Sequence, residues 1–287
     1  MIYHSGSTRY LRLFWKYPEL DMPFRQLNKN EVRQHFQQAA QKYDESALVQ
    51  RKSAKRLLEM AASLPATPRV ILDIGCGTGH DSQALSRLFP QSTLIPMDIS
   101  LAMLAKTRAR AVAISVKHSL LCADAESLPL GKASVDLAFS NAAFNWFNDL
   151  EATLSNIHAI LSAKGQLLFS LFGPGTLKEI SDAWEQTGAG GAHVNEFLPS
   201  HKLLDMFTGP GFRLIQSETV SYAVYFDSPL QAVKSFRNVG GKNALNQRRK
   251  GLTGKNLFAR FLQNLENSRV RKGVPITYEI FIFLLEK

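Results

Sequence analysis

The 287-residue chain has only two cysteines, Cys76 and Cys122, which excludes a disulfide framework and leads us to expect reduced thiols. It has no apolar run near the roughly 18 residues that a membrane-spanning helix needs. Its first 30 residues lack the uninterrupted apolar stretch of a secretory signal, because Arg9, Arg12, Lys16, Glu19 and Asp21 break them up. Glu19 and Asp21 also count against an organellar transit peptide, so a cytoplasmic location is expected, with no membrane partner. There is no internal repeat and no low-complexity tract. Acid is missing altogether between Asp227 and Glu266, whereas Lys234, Arg237, Lys242, Arg248, Arg249, Lys250, Lys255 and Arg260 all fall there. Those eight account for most of the net charge of +10, so the excess is local and suits an acidic partner or an anionic substrate, or else a solvated surface. The only aromatics interleaved with them are Phe236, Phe258 and Phe261, too few for stacking on single strands, and no nucleic acid is expected.

What the sequence does have is one dense stretch, Val70-Ile71-Leu72-Asp73-Ile74-Gly75-Cys76-Gly77-Thr78-Gly79. A β-branched apolar run ends in an acid and then in three glycines at alternate positions, which reads as a strand turning sharply into a helix. Glycine reaches positive φ without penalty and lets a ligand lie against bare backbone, and the helix start offers free N–H groups. Dinucleotides favour G-x-G-x-x-G at such a turn. The order D-x-G-x-G-x-G here favours S-adenosylmethionine instead.

Around that turn the periodicity alternates. Residues 1–29 show no clear period and read as an N-terminal extension. Helical spacing over Val32, Phe36, Ala39, Ala40 and Tyr43 predicts a first helix that Tyr43 ends, and a second follows from about Ser46 to Ser63. Strands are expected at 70–74, 92–98, 116–122, 135–140 and 166–172, with helices between them. One of those helices runs from Leu150 to Leu161, with a stop at Lys164-Gly165. Helices at 176–186 and 200–207 and strands at 212–225 and 276–285 complete the chain. Strands joined by helical crossovers make a parallel sheet covered on both faces. One domain would span 30–287, with N-terminal helices at 30–64, core sheet and helices at 65–227 and 273–287, and a basic helical lid insertion at 228–272.

In open α/β sheets ligands bind beyond the carboxyl ends of the strands. Asp73, Asp98, Asp124 and Asn141 all fall near such ends. Asp98 is placed to accept two ribose hydroxyls, or to cap the helix at Leu101. Asp124 would reach an adenine amino group. Asp73, beneath the turn, would order the loop or meet an amino group.

Three acids at consecutive strand ends after a glycine turn resemble class I S-adenosylmethionine-dependent methyltransferases, over about residues 69–172. The resemblance implies a Rossmann-like seven-stranded sheet, mostly parallel with an antiparallel C-terminal strand. It places cofactor contacts at Asp73, Gly75, Cys76, Gly77, Asp98, Ile99, Met103, Asp124, Ala125 and Asn141. Several segments are similar to the narrower malonyl-acyl-carrier-protein O-methyltransferase (BioC) family of biotin synthesis. They are Phe36-x-x-Ala39-Ala40-x-x-Tyr43-Asp44 with Leu48, Gln50 and Arg51; Ser140-Asn141-Ala142-Ala143-Phe144-Asn145-Trp146; Phe172-Gly173-Pro174-Gly175-Thr176-Leu177-Lys178-Glu179; and Pro275-Ile276-Thr277-Tyr278-Glu279. A mitochondrial respiratory-complex assembly factor family shares some of them, so methylation of another small carboxylate, a quinone or a protein arginine stays open.

The family resemblance implies a malonyl thioester on acyl carrier protein, or on coenzyme A, as substrate and its methyl ester as product. That carrier is acidic, which gives the basic segment a purpose, and a monomer is expected. A carboxylate is ionised at neutral pH and a sulfonium leaves as a neutral thioether, so no acid or base residue is nominated and positioning dominates. Burying the carboxylate unpaired would be costly. Arg237 is the first choice for its cation and Lys242 the second. Tyr43, Trp146 and Phe172 are expected as aromatic walls of the cofactor and acyl pockets. No metal is expected.

Overall fold

A computed structural model describes residues 27–113, 119–189, 194, 197–239 and 254–287. Seven strands, β1 (Val70–Ile74), β2 (Thr93–Asp98), β3 (Leu121–Cys122), β4 (Val135–Asn141), β5 (Leu161–Phe172), β6 (Arg213–Phe226) and β7 (Val274–Glu286), form one sheet. The order is β3-β2-β1-β4-β5-β7-β6. β1 to β5 pair in parallel, and β7 runs antiparallel to both of its neighbours, as the resemblance implies. Helices α1 (Lys29–Ala39), α2 (Tyr43–Ser46) and α3 (Leu48–Ala62) precede the sheet. α4 (His80–Leu88), α5 (Leu101–Ala113) and α6 (Leu150–Ile160) make crossovers. α7 (Lys178–Glu185), α8 (Ser200–Thr208), α9 (Pro229–Asn238) and α10 (Lys255–Glu266) follow β5 and interrupt the final hairpin.

The inner strands β1, β4, β5 and β7 are largely apolar and buried because helices cover both faces, whereas the edge strand β6 stays mostly exposed. Along β1 and β7 the side chains alternate. Leu72, Ile74, Phe281, Phe283 and Leu285 pack with Leu154 and Ile157 of α6 and Leu203 and Phe207 of α8. Ile71, Ile280, Ile282 and Leu284 pack with Leu57 and Met60 of α3 and Leu85 of α4. A third apolar cluster lies past the sheet's carboxyl edge, where Ile180 of α7, Ala232 of α9 and Phe261 of α10 close on Val274 and Ile276. The Trp184 and Phe261 rings stack there at 4.1 Å. β1 stands between β2 and β4, so chain direction around the sheet reverses at its end, and the glycine turn opens into that crevice.

Sequence and structure differ at several boundaries. Tyr43 does not end the first helix. α1 stops at Ala39, and Tyr43 opens the one-turn helix α2. The third strand is shorter than expected: only Leu121 and Cys122 pair with β2, while Val116–His118 lie outside the described residues. α6 ends at Ile160, close to the expected Leu161, but the fifth strand starts at Leu161 rather than Gln166, because Leu161 already pairs with Val135 and Lys164 takes a left-handed φ of 61° within the strand. No helix among the described residues is long and apolar enough to cross a membrane.

Candidate active site

The turn after β1 is held by its own backbone. The N–H groups of Gly75 and Cys76 both donate to the Met97 carbonyl, at 2.8 and 2.9 Å, tying the turn to β2. Gly75, Gly77 and Gly79 have φ of 71°, 56° and 81°. A Cβ on Gly75 would stand 2.5 Å from that of Ala143, and one on Gly79 under 3 Å from Thr107, so two of the three also need the space. Asp73 is buried and accepts from the Ser82 hydroxyl of α4 at 2.5 Å. Burial, then the Asp81 charge, push its carboxyl up to about 8. It braces the turn from beneath and does not line the cleft. Cys76 faces Thr107 at 3.6 Å, and burial raises its thiol well above the ordinary range, leaving it protonated.

Asp98, at the tip of β2, is 8% exposed and accepts from Gly77 N–H at 2.9 Å and from Ser100 N–H at 2.8 Å. It does not cap α5. That role falls to Ser100, whose hydroxyl accepts from Met103 N–H at 3.3 Å. A carboxylate has about four lone-pair positions, so Asp98 keeps acceptor capacity for a ligand beyond its backbone donors. Burial lifts its carboxyl to about 6 despite those donors. Asp124 is in another situation: it accepts from Lys29 Nζ at 3.1 Å and from Glu126 N–H at 3.1 Å. Lys29 also pairs with Glu126 and lies 5.3 Å over the Phe147 ring. Ile99, Met103 and Ala125 line the cleft between these two acids.

The N-terminal helices are latched across the turn. Asp44 accepts from the Thr78 hydroxyl at 2.5 Å and pairs with Arg110 at 2.7 Å, and Arg110 also donates to the Thr78 carbonyl at 3.1 Å. Gln37 of α1 accepts from the Ser100 hydroxyl and the Ala102 N–H at 3.1 and 3.2 Å. These contacts set Tyr43 directly over Gly77. Burial and the charges of Asp81, Asp98 and Asp44 push the Tyr43 phenol above its ordinary value, so it stays neutral.

Under this cover lies a cleft of about 1370 Å³ including its mouth, running from Asp124 past the glycine turn to β6, β7 and α9. Trp146, edge-on to Phe36 at 5.2 Å, and Phe172, 6.0 Å from Tyr278, both line it. A side cavity of about 430 Å³ opens behind the turn, bounded by Asp44, Arg51, Thr78, Asp81 and Asn141. The Asn141 amide is fully engaged, donating to the Gln50 carbonyl at 2.9 Å and to Asp81 at 2.8 Å and accepting from Ser170 at 2.9 Å. It orients Asp81 and leaves no free donor. At the far end of the cleft the glycine-proline loop and the closing segment interlock. Glu279 accepts from Gly175 N–H at 2.9 Å, Thr176 donates to the Glu279 carbonyl at 2.9 Å, and Glu179 takes the Thr277 N–H at 2.9 Å. Arg237 belongs to α9 and its neighbours Ser235 and Phe236 line the cleft, but its side chain lies outside what is described. Lys242, Arg248, Arg249 and Lys250 also lie outside the described residues.

Sequence reasoning missed Lys29, Asp81, and Arg51 as a lining residue. Arg51 stood in a quoted segment, and Asp81 follows the glycine turn by two residues. Nothing local marks Lys29, whose partners are far along the chain. No group of His, Cys, Asp and Glu that could hold a metal ion occurs among the described residues.

Fold, glycine turn and strand-end acids together define a class I S-adenosylmethionine-dependent methyltransferase, and residues 72–169 match the methyltransferase domain family. The fold is shared with YcgJ from Bacillus subtilis, at 17% identity, TM-score 0.57 and coverage of 83% of this chain and 98% of that one. It is also shared with the [4+2]-cyclase SpnF, at 16% identity, TM-score 0.53 and coverage of 81% and 80%, so architecture alone does not fix the reaction. Whole-chain similarity is more specific. The malonyl-acyl-carrier-protein O-methyltransferase of Methylovorus sp. is 35% identical over 88% of this chain and 87% of its own length. That of Hahella chejuensis is 34% identical over 92% of both. The bifunctional biotin-biosynthesis protein BioHC of Saccharophagus degradans matches 91% of this chain with 47% of its own length, at 32% identity. The chain belongs to the malonyl-acyl-carrier-protein O-methyltransferase family.

Proposed function

We propose that this protein methylates the free carboxylate of a malonyl thioester on acyl carrier protein, an early step of biotin synthesis. The observation that carries the reading is the continuous cleft, which joins a built cofactor turn to a second, aromatic-lined lobe in a chain of this family. The turn fits the cofactor: Gly75 has no room for a side chain, Gly77 presents backbone beneath Tyr43, and Asp98 keeps acceptor capacity beyond its backbone donors. Bound there, S-adenosylmethionine supplies an electrophilic methyl group carried on a sulfonium.

The chain's own residues do the positioning. Asp98 accepts the ribose hydroxyls while Ile99, Met103 and Ala125 wall the adenosine. Asp124 meets the adenine amino group beside Lys29. The side cavity takes the charged amino-acid end, with Arg51 facing the carboxylate and Asp81, held by Asn141, facing the ammonium. Cys76 contributes backbone only. The rings of Tyr43, Trp146 and Phe172 border the sulfonium and acyl lobe, where a ring face attracts a cation by roughly 0.5–2 kcal/mol. Neutral Tyr43 offers no competing nucleophile. Holding reactants in line is worth about 7–11 kcal/mol in favourable cases. Arg237 is assigned to the malonyl carboxylate, with Lys242 second, and Arg248, Arg249 and Lys250 to the acidic carrier.

Complementation tests the reading. A biotin-requiring bacterium lacking its own malonyl-carrier methyltransferase grows without biotin when it expresses this chain, and does not when it expresses Asp98→Ala at equal level. No growth with soluble wild-type protein contradicts the proposal.

A further inference from the structure

Most polar side chains around the acyl lobe are already spent. Asn145 donates to the Phe172 carbonyl at 3.2 Å and accepts its N–H at 2.7 Å. Thr176 is held at both ends by the Glu279 backbone, and Ser235 donates back to the Ala232 carbonyl at 2.9 Å. Tyr278 is different. It lies on β7 opposite Tyr222, with its ring packed 6.0 Å from Phe172, and it lines the cleft. Its hydroxyl makes no hydrogen bond to any described residue. Tyr278 is half-buried, and its hydroxyl opens to the cleft, where it is free to donate to whatever enters. A ligand atom in the cleft is the partner the geometry leaves open.

We propose that the Tyr278 hydroxyl donates a hydrogen bond to the malonyl carboxylate and thereby makes the acyl lobe select a carboxyl-bearing thioester. The inference rests on the function proposed above. Its chemistry suits the step: a neutral donor satisfies one carboxylate oxygen during desolvation and leaves the other free to take the methyl group. Burial and the nearby Glu179 charge hold the phenol above its ordinary value, so it donates throughout the working pH range. The ring's position is fixed independently of substrate. Thr277 and Glu279 on either side are tied to Glu179 and to Gly175, so the flanking backbone cannot drift.

The test is Tyr278→Phe, which keeps the ring against Phe172 and removes one oxygen. Binding of malonyl-carrier and acetyl-carrier is measured by calorimetry with S-adenosylhomocysteine present, alongside steady-state kinetics. The expected result is a fall of about ten- to a hundredfold in kcat/KM and in malonyl-carrier affinity, the range for a donor to a charged acceptor. Acetyl-carrier and S-adenosylhomocysteine affinities stay within about twofold. Equal loss toward both carriers, or no loss toward either, overturns the assignment. Failure of the wild-type protein to methylate malonyl-carrier would instead strike the proposed function. Thr277→Val, which perturbs the same strand without touching the hydroxyl, leaves the malonyl-to-acetyl preference intact, and a matching loss of preference there also overturns the assignment.

Discussion

Replacing Asp98 by Asn removes a charge from the cofactor cradle without changing its shape. The carboxylate accepts from the Gly77 and Ser100 N–H groups, with a further backbone contribution from Ile99, and keeps acceptor capacity for ribose hydroxyls. In Asn one oxygen becomes an NH2 group, which faces one of those N–H donors and cannot accept a hydroxyl. A hydrogen bond to a charged acceptor is worth about 1.5–3 kcal/mol. Losing one such bond and weakening the other gives about 2–4 kcal/mol, or from about 30-fold to several-hundred-fold in affinity. The pH dependence supplies a second readout. The free protein's Asp98 titrates at about 6, and hydroxyl donors bind only the ionised form. Wild-type affinity is therefore flat above pH 6 and falls about tenfold per unit below it, whereas Asp98→Asn loses that slope. Calorimetry of S-adenosylhomocysteine binding from pH 5 to 8 measures both. A variant within threefold of wild type at pH 7, or one that keeps the acid-limb slope, refutes the role given to Asp98.

Other expectations follow from the same geometry. Gly75→Ala forces a side chain onto φ of 71° and into Ala143, so cofactor binding is lost and the melting temperature falls by several degrees on scanning calorimetry. Asp73, raised to about 8 from an ordinary value near 3.8, holds a proton in the folded state that the unfolded chain releases, so stability falls as pH rises through that window. Asp73→Asn therefore flattens the decline in melting temperature between pH 6 and 8, while an unchanged decline rejects the assignment. Asp44→Ala cuts both the Thr78 and Arg110 contacts, raising the KM for S-adenosylmethionine about two- to tenfold in initial-rate assays with kcat little changed. Arg237→Ala abolishes malonyl methylation without weakening cofactor binding. Glutamate at 248, 249 and 250 raises the KM for the carrier substrate at low salt.

The parts of the site that sequence made legible are those encoded locally. The glycine turn announced itself through residue type, and Asp98 through its place at the end of an apolar strand. The seventh strand's antiparallel pairing came with the family resemblance rather than with periodicity. Long-range contacts were not legible. Lys29 meets Asp124 only after α1 has been laid across the sheet edge, and no spacing encodes that. Glu279 and Gly175 stood in two separately recognised segments whose pairing appears only when β7 lies beside β5. Lys164-Gly165 looked like a helix stop because glycine there is ambiguous. β4 pairing captured Leu161 first. Asp98 could serve ribose and helix cap together on sequence grounds, and Ser100 takes the cap in the structure.

The most direct measurement is transfer of a labelled methyl group from S-adenosylmethionine to malonyl-acyl carrier protein, followed by mild alkaline hydrolysis. The expected result is label on the malonyl carrier, released by base as methanol as a carboxyl ester requires, with none on acetyl-carrier and little on free malonate. Absence of label from malonyl thioesters on either carrier protein or coenzyme A, or label resistant to base, contradicts carboxyl methylation as the reaction of this cleft.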